Sequence, residues 1–198
     1  MIHPRPDVHS ADFGVAAFAA DLELVRRGEG AAEYADARLF FERSYLTAGL
    51  RDLLTLAVKR VSGQGGQPVI SCQTNFGGGK THSLIALYHL LSGISLAELP
   101  DDVAELVRDA GVAELPEVNR AVVVGNRFGA GETHPKPDGT EVNTLWGEIA
   151  WQLGGADAYE LIADSDRNRT NPGDAIRDVL TLCSPCLVLI DEWVAYAR

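Results

Sequence analysis

The chain has 198 residues, 46% hydrophobic and 23% charged, which suits one soluble globular domain with a sizeable core. A net charge of −11 and a pI near 4.8 argue against a broad electrostatic surface for nucleic acid, while leaving room for a local basic groove. Phe13 to Ala20 is apolar, but Asp12, Asp21 and Glu23 bracket it and no run approaches a bilayer span, so the expectation is a cytoplasmic chain with no membrane association.

Ala11 to Arg27 is predicted to form a helix, with Phe13, Ala17, Phe18, Leu22 and Val25 on one side, Arg26-Arg27 in the last turn and Gly28 as the stop. Ala37 to Tyr45 reads as a second helix led by Asp36. Thr47 begins a third, in which Leu50, Leu53, Leu54, Ala57, Val58 and Val61 follow the helical period. Residues 1–62 thus form an N-terminal helical segment. The run Ser62-Gly63-Gln64-Gly65-Gly66-Gln67 is a flexible joint leading into residues 63–198.

Pro68-Val69-Ile70-Ser71-Cys72 is predicted as a short buried strand, and Ser83 to Leu91 as a helix. Between them lie Thr74, Asn75, Phe76, Gly77, Gly78, Gly79, Lys80, Thr81 and His82, a phosphate-binding P-loop in its required strand-to-helix context. Three glycines let backbone N–H groups approach a polyphosphate, and the helix N-terminus adds partial positive charge. Lys80 would reach the β and γ phosphates and Thr81 would place its hydroxyl on Mg²⁺. The usual spacing has glycine six residues before the lysine. Here that residue is Thr74, and Gly77-Gly78-Gly79 would carry the tight turn instead.

Pro100 to Asp109 reads as a helix ended near Gly111, and Ala121-Val122-Val123-Val124-Gly125 as a strand of the kind a parallel sheet buries on both faces. Arg127 to Asn143 is predicted as a loop leaving the ligand-binding edge of the sheet, with Arg127, His134 and Lys136 as candidates for triphosphate or partner contacts. Thr144 to Leu153 is a helix in which Trp146 and Trp151 are packing residues. Asn171-Pro172 is predicted to open another helix, with Ile176, Val179 and Leu180 facing inward. Of the three cysteines, Cys183 and Cys186 form a C-x-x-C. Without a second pair it reads as the end of a helix followed by the start of a buried strand, not as a zinc site. The sequon at Asn168-Arg169-Thr170 has no consequence in a cytoplasmic chain.

Cys186-Leu187-Val188-Leu189-Ile190 is an apolar strand closed by Asp191-Glu192, the form of a Walker B element about 110 residues beyond the P-loop. Asp191 would hold Mg²⁺, directly or through water, and Glu192 would polarise an attacking water. The two motifs in this order define a nucleoside-triphosphate site. Two rival functions stay open. A phosphotransferase would pass the γ-phosphoryl group to an acceptor, and a non-hydrolysing switch or interaction module would bind ATP to set its shape. The absence of an Asn-Lys-x-Asp guanine reader favours adenine weakly.

Thr74 to His82, the prelude Phe40-Phe41-Glu42-Arg43-Ser44-Tyr45-Leu46-Thr47, the helix Thr144 to Gly154 and the ending Asp191 to Arg198 together resemble a family of large prokaryotic AAA-type ATP-binding proteins labelled as a domain of unknown function. The resemblance covers nearly the whole chain and includes Thr74 as a family trait. It implies an additional-strand P-loop NTPase fold, a parallel sheet flanked by helices, that is incomplete after the Walker B strand. A fourth strand would lie between the P-loop and Walker B strands, so the chain is expected to be part of a larger protein or assembly and, in isolation, to be aggregation-prone and inactive. The resemblance also implies a role in DNA modification or defence by association, with DNA reached only through the parent protein.

Overall fold

Short polar side chains start the N-terminal helices in a computed structural model that describes residues 20–72, 79–129 and 131–196. Asp21 accepts the N–H groups of Glu23 and Leu24, so helix α1 occupies Leu22–Arg27, and Gly28 ends it in the left-handed conformation at φ 70°. The helix predicted from Ala11 therefore begins at Leu22 within the described residues, because the Asp21 cap sets its start; residues 11–19 lie outside them. After α2, Ala32–Ala35, Asp36 caps α3, Ala37–Arg43, and Thr47 caps α4, Ala48–Val61. Helix α5 covers Lys80–Leu90 and α6 covers Asp101–Asp109.

Strand β1, Asn119–Val124, pairs in parallel with β4, Cys186–Asp191, with Asn119 opposite Cys186 and Val124 opposite Asp191. Between them lie the two-residue ladder of β2, His134–Pro135, with β3, Glu141–Val142, and then α7, Leu145–Glu160. The chain continues through α8, Ala163–Arg167, and α9, Ala175–Leu182, and α10, Trp193–Tyr196, follows β4. The predicted loop from Arg127 to Asn143 thus contains a minimal hairpin. Helix α7 runs past its predicted end by changing direction at Gly154 and Gly155, both non-helical.

Two predictions need correction. Pro68 to Cys72 forms no strand and is exposed, Val69 by 78% and Ile70 by 41%. A strand exists only within a ladder, and among the described residues nothing pairs with this run. The parallel sheet consequently has two strands among the described residues. Helix α9 starts three residues later than Asn171-Pro172 suggests. Asn171 Oδ1 instead accepts the N–H of Gly173, a local turn with Gly173 at φ 55°, and Leu180 faces outward at 37% exposure.

The pleat of the two strands separates two cores. Val122, Val124, Leu187 and Leu189 pack with Leu22, Phe40, Leu54, Val58, Ile85, Leu90 and Val103, residues of α1 and α3 to α6. Ala121, Val123, Val188 and Ile190 pack on the other side with Leu145, Ile149, Leu153, Ile162 and Val179. The result is a helix–sheet–helix α/β arrangement in which the apolar run of β1 is covered on both faces, while that of β4 is half-buried except at Leu189. Trp146 and Trp151 are partly buried against the second core, as their packing assignment requires. No helix among the described residues is long and apolar enough to cross a membrane.

Candidate functional site

Both strands point their carboxyl ends toward the same edge, where Gly125 N–H donates to the carbonyl of Asp191 at 2.9 Å. Helix α5 begins at that edge. Gly79 occupies its N-cap at φ 74°, a left-handed conformation that costs glycine little, and its carbonyl accepts from both Ser83 N–H and Ser83 Oγ. One residue into the helix, Thr81 Oγ1 donates to Asp191 Oδ2 at 2.8 Å across 110 residues of sequence. The other oxygen of this buried carboxylate, Oδ1, accepts the N–H of Glu192 at 2.9 Å. Two groups that the sequence assigns to one metal ion are therefore in direct contact.

Glu192 is exposed and sits at φ 50°, a left-handed conformation rarely held by a residue with a side chain. Such strain persists where the surroundings fix it, here through the Asp191 carboxylate and the helix that follows. Lys80 is the first residue of α5 and is partly buried. Thr74, Asn75, Phe76, Gly77 and Gly78 lie outside the described residues. His82 turns to the helical prelude: its ring packs on Phe40 with centroids 4.6 Å apart, and its Nε2 lies 3.0 Å from Ser44 Oγ. Desolvation pushes its pKa below the ordinary histidine value, so the ring is held neutral. Thr81 and His82 thus fasten the start of α5 to β4 on one side and to α3 on the other.

The three loop candidates are engaged within the fold. Arg127 pairs with Asp21 at 2.7 Å, and His134 stacks on Phe128 with centroids 4.0 Å apart. Lys136 pairs with Glu148 and lies 5.0 Å from the Trp151 ring centre. Cys183 is buried and Cys186 partly so; both thiols are free, and burial pushes both pKa values up, away from a reactive thiolate.

Two supporting residues escaped the sequence reading. Gln152 on α7 sets its amide against β1, with Val122 N–H donating to Oε1 and Nε2 donating to Val122 O, each at 2.8 Å. It occupies the free edge of β1 as a neighbouring strand would. Asp166, buried at 1% exposure, accepts from Asn143 N, Thr144 N, Thr144 Oγ1 and Tyr159 OH at 2.6 to 2.9 Å, tying the start of α7 to α8. A glutamine inside an apolar helix face was the available signal for the first; no spacing rule marks the second.

Among the described residues no three His, Cys, Asp or Glu side chains converge into a metal cage. Mg²⁺ bound beside a polyphosphate does not need one, because phosphate oxygens and water supply most of its ligands. The oxygen-only pair of Thr81 and Asp191 fits that hard cation.

Fold and site together define an α/β protein in which a loop-to-helix junction meets the acidic tip of a parallel strand. The chain belongs to the family described as the DUF499 N-terminal domain, whose model matches residues 3–198. Neither a curated protein nor a solved structure matches it.

Proposed function

We propose that the chain binds Mg·ATP and hydrolyses it as the N-terminal part of a larger AAA-type P-loop ATPase. The observation that carries this reading is the 2.8 Å contact between Thr81 and Asp191, since it joins the helix that follows the glycine run to the Walker B-like strand tip. In this reading the backbone from Gly77 to Gly79 cradles phosphates, and Lys80 neutralises the β and γ oxygens. Thr81 and Asp191 would hold the cation, and Glu192 would position and deprotonate water at the exposed end of β4. Bound Mg²⁺ supplies charge neutralisation at the β and γ oxygens. Free cysteines support a reducing, cytoplasmic setting. The family's description as an N-terminal domain supports a larger parent chain. A net charge of −11 leaves any DNA contact, and any role in DNA modification or defence, to that parent.

The test is an ATP titration with and without Mg²⁺, comparing wild type with Asp191→Asn. The amide keeps an acceptor for Thr81, so the fold is retained while the anionic metal ligand is lost. The expected result is a Mg²⁺-dependent gain in affinity that falls by roughly tenfold or more in the variant. An equal Mg²⁺ effect in both proteins contradicts the role given to Asp191.

A further inference from the structure

A second polar cleft opens at the other end of β1, away from Asp191. It has a volume of about 300 Å³, and Arg26, Tyr88, Asn119, Arg120, Trp151 and Gln152 line it, with no carboxylate in its wall. In a chain of net charge −11, a wall with two arginines and no acid concentrates positive potential locally.

Both guanidinium groups are held in place while keeping donors to spare. Glu23 takes Arg26 Nε at 2.9 Å and Nη2 at 2.6 Å. Arg120 donates Nη1 to the Tyr88 carbonyl at 2.7 Å, and its Cζ lies 4.1 Å from the centre of the Tyr88 ring. A guanidinium carries five N–H donors, so Arg26 Nη1 and Arg120 Nη2 and Nε remain without an acceptor among the described residues. Three neighbouring side chains already have partners. Gln152 bonds β1 and Glu148, Trp151 Nε1 donates to Asp138, and Asn119 Nδ2 donates to the Cys183 carbonyl. Around this wall four cations, Arg26, Arg27, Arg120 and Lys136, stand against three carboxylates, Glu23, Glu148 and Asp138, so positive charge stays in excess after the pairs Glu23–Arg26, Glu23–Arg27 and Glu148–Lys136 are made.

A site whose only charged lining groups are two guanidinium donors favours an anion rich in acceptors. We infer that this cleft binds a phosphate group, held between the guanidinium forks of Arg26 from α1 and Arg120 from β1. A tetrahedral phosphate presents acceptors toward both arginines, and immobilised guanidinium groups bind it without first losing side-chain freedom. The volume exceeds that of a bare phosphate ion and admits a small phosphate ester. The site is separate from the proposed ATP site and does not depend on it.

The experiment titrates the chain calorimetrically with inorganic phosphate and with AMP at fixed ionic strength. It uses a Lys80→Ala background, which removes phosphate binding at the loop. The inference predicts saturable one-site binding that persists in Lys80→Ala. Affinity should fall at least roughly tenfold when Arg26→Gln or Arg120→Gln is added, because each removes one charge-assisted fork. AMP binding more tightly than phosphate identifies an ester as the ligand, and equal affinities identify the free ion. Binding lost in Lys80→Ala alone, binding unchanged in both arginine variants, or binding of neither probe would overturn the inference. If Arg120→Gln fails to fold because Tyr88 loses its brace, Arg26→Gln carries the test, since among the described residues Arg26 bonds the Glu23 side chain and no backbone group.

Discussion

Glu192 combines a left-handed backbone with an exposed carboxylate directly beyond Asp191, so its side chain is free to meet water while its N–H is fixed. Replacing it with glutamine preserves size and shape but removes the carboxylate proposed as the base. In the complete parent protein Glu192→Gln is expected to keep Mg·ATP affinity within a few-fold and to lower turnover on the order of 10²-fold, read from binding and steady-state phosphate release. Retained turnover would make Glu192 a structural neighbour only. Gly79 carries a different constraint. A Cβ there meets nothing within 4 Å among the described residues, so Gly79→Ala should cost about 1–2 kcal/mol through its φ of 74°, measured by urea unfolding. At this scale the proximity of Thr81 and Asp191, expected from motif order, is seen as a 2.8 Å contact. The sequence was silent on the backbone of Glu192, because no residue preference announces a strained glutamate.

Helix α7 supports the sheet through one amide and one buried carboxylate. Gln152→Leu would leave the N–H and carbonyl of Val122 without their partner at the edge of β1, a predicted loss of about 1–3 kcal/mol in unfolding free energy. Stability equal to wild type would show that water replaces the amide there. Helix starts at Asp36 and Thr47, the apolar centre of β1 and the run of β4 were legible, because capping side chains and apolar runs act locally; β1 begins two residues earlier than expected, at Asn119, and ends one earlier, at Val124. The run Pro68 to Cys72 was misread because apolar character is local while strand pairing is not. The start of α9 was misread because Asn171-Pro172 can open a helix or a turn, and Gly173 at φ 55° selects the turn. The Asp166 cluster was invisible because its donors come from Asn143, Thr144 and Tyr159, which only the folded chain brings together.

Across the whole molecule, two histidines of α5 couple the helical prelude to the sheet. His82 and His89 both pack on Phe40, at 4.6 and 5.3 Å, and His89 Nε2 lies 2.7 Å from the Tyr34 carbonyl. Desolvation pushes both pKa values down, so the folded state prefers neutral rings while the unfolded chain takes up protons below about pH 6.5. Stability is therefore predicted to be full above that pH and to decline as pH falls toward the folded values. A His89→Gln variant should show a shallower decline between about pH 7 and 5 in thermal or urea melts. An unchanged slope would remove His89 from the explanation. The same helix carries the central claim at its other end, where Lys80 begins α5 one residue before the Thr81 contact with Asp191. The most direct measurement is a calorimetric titration of Mg·ATP into wild type and Lys80→Ala. The account predicts saturable binding in wild type and a loss of a few kcal/mol, to below detection, in the variant, because polyphosphate charge is left unneutralised. Equal affinity in the two proteins, or no binding by wild type, would contradict it.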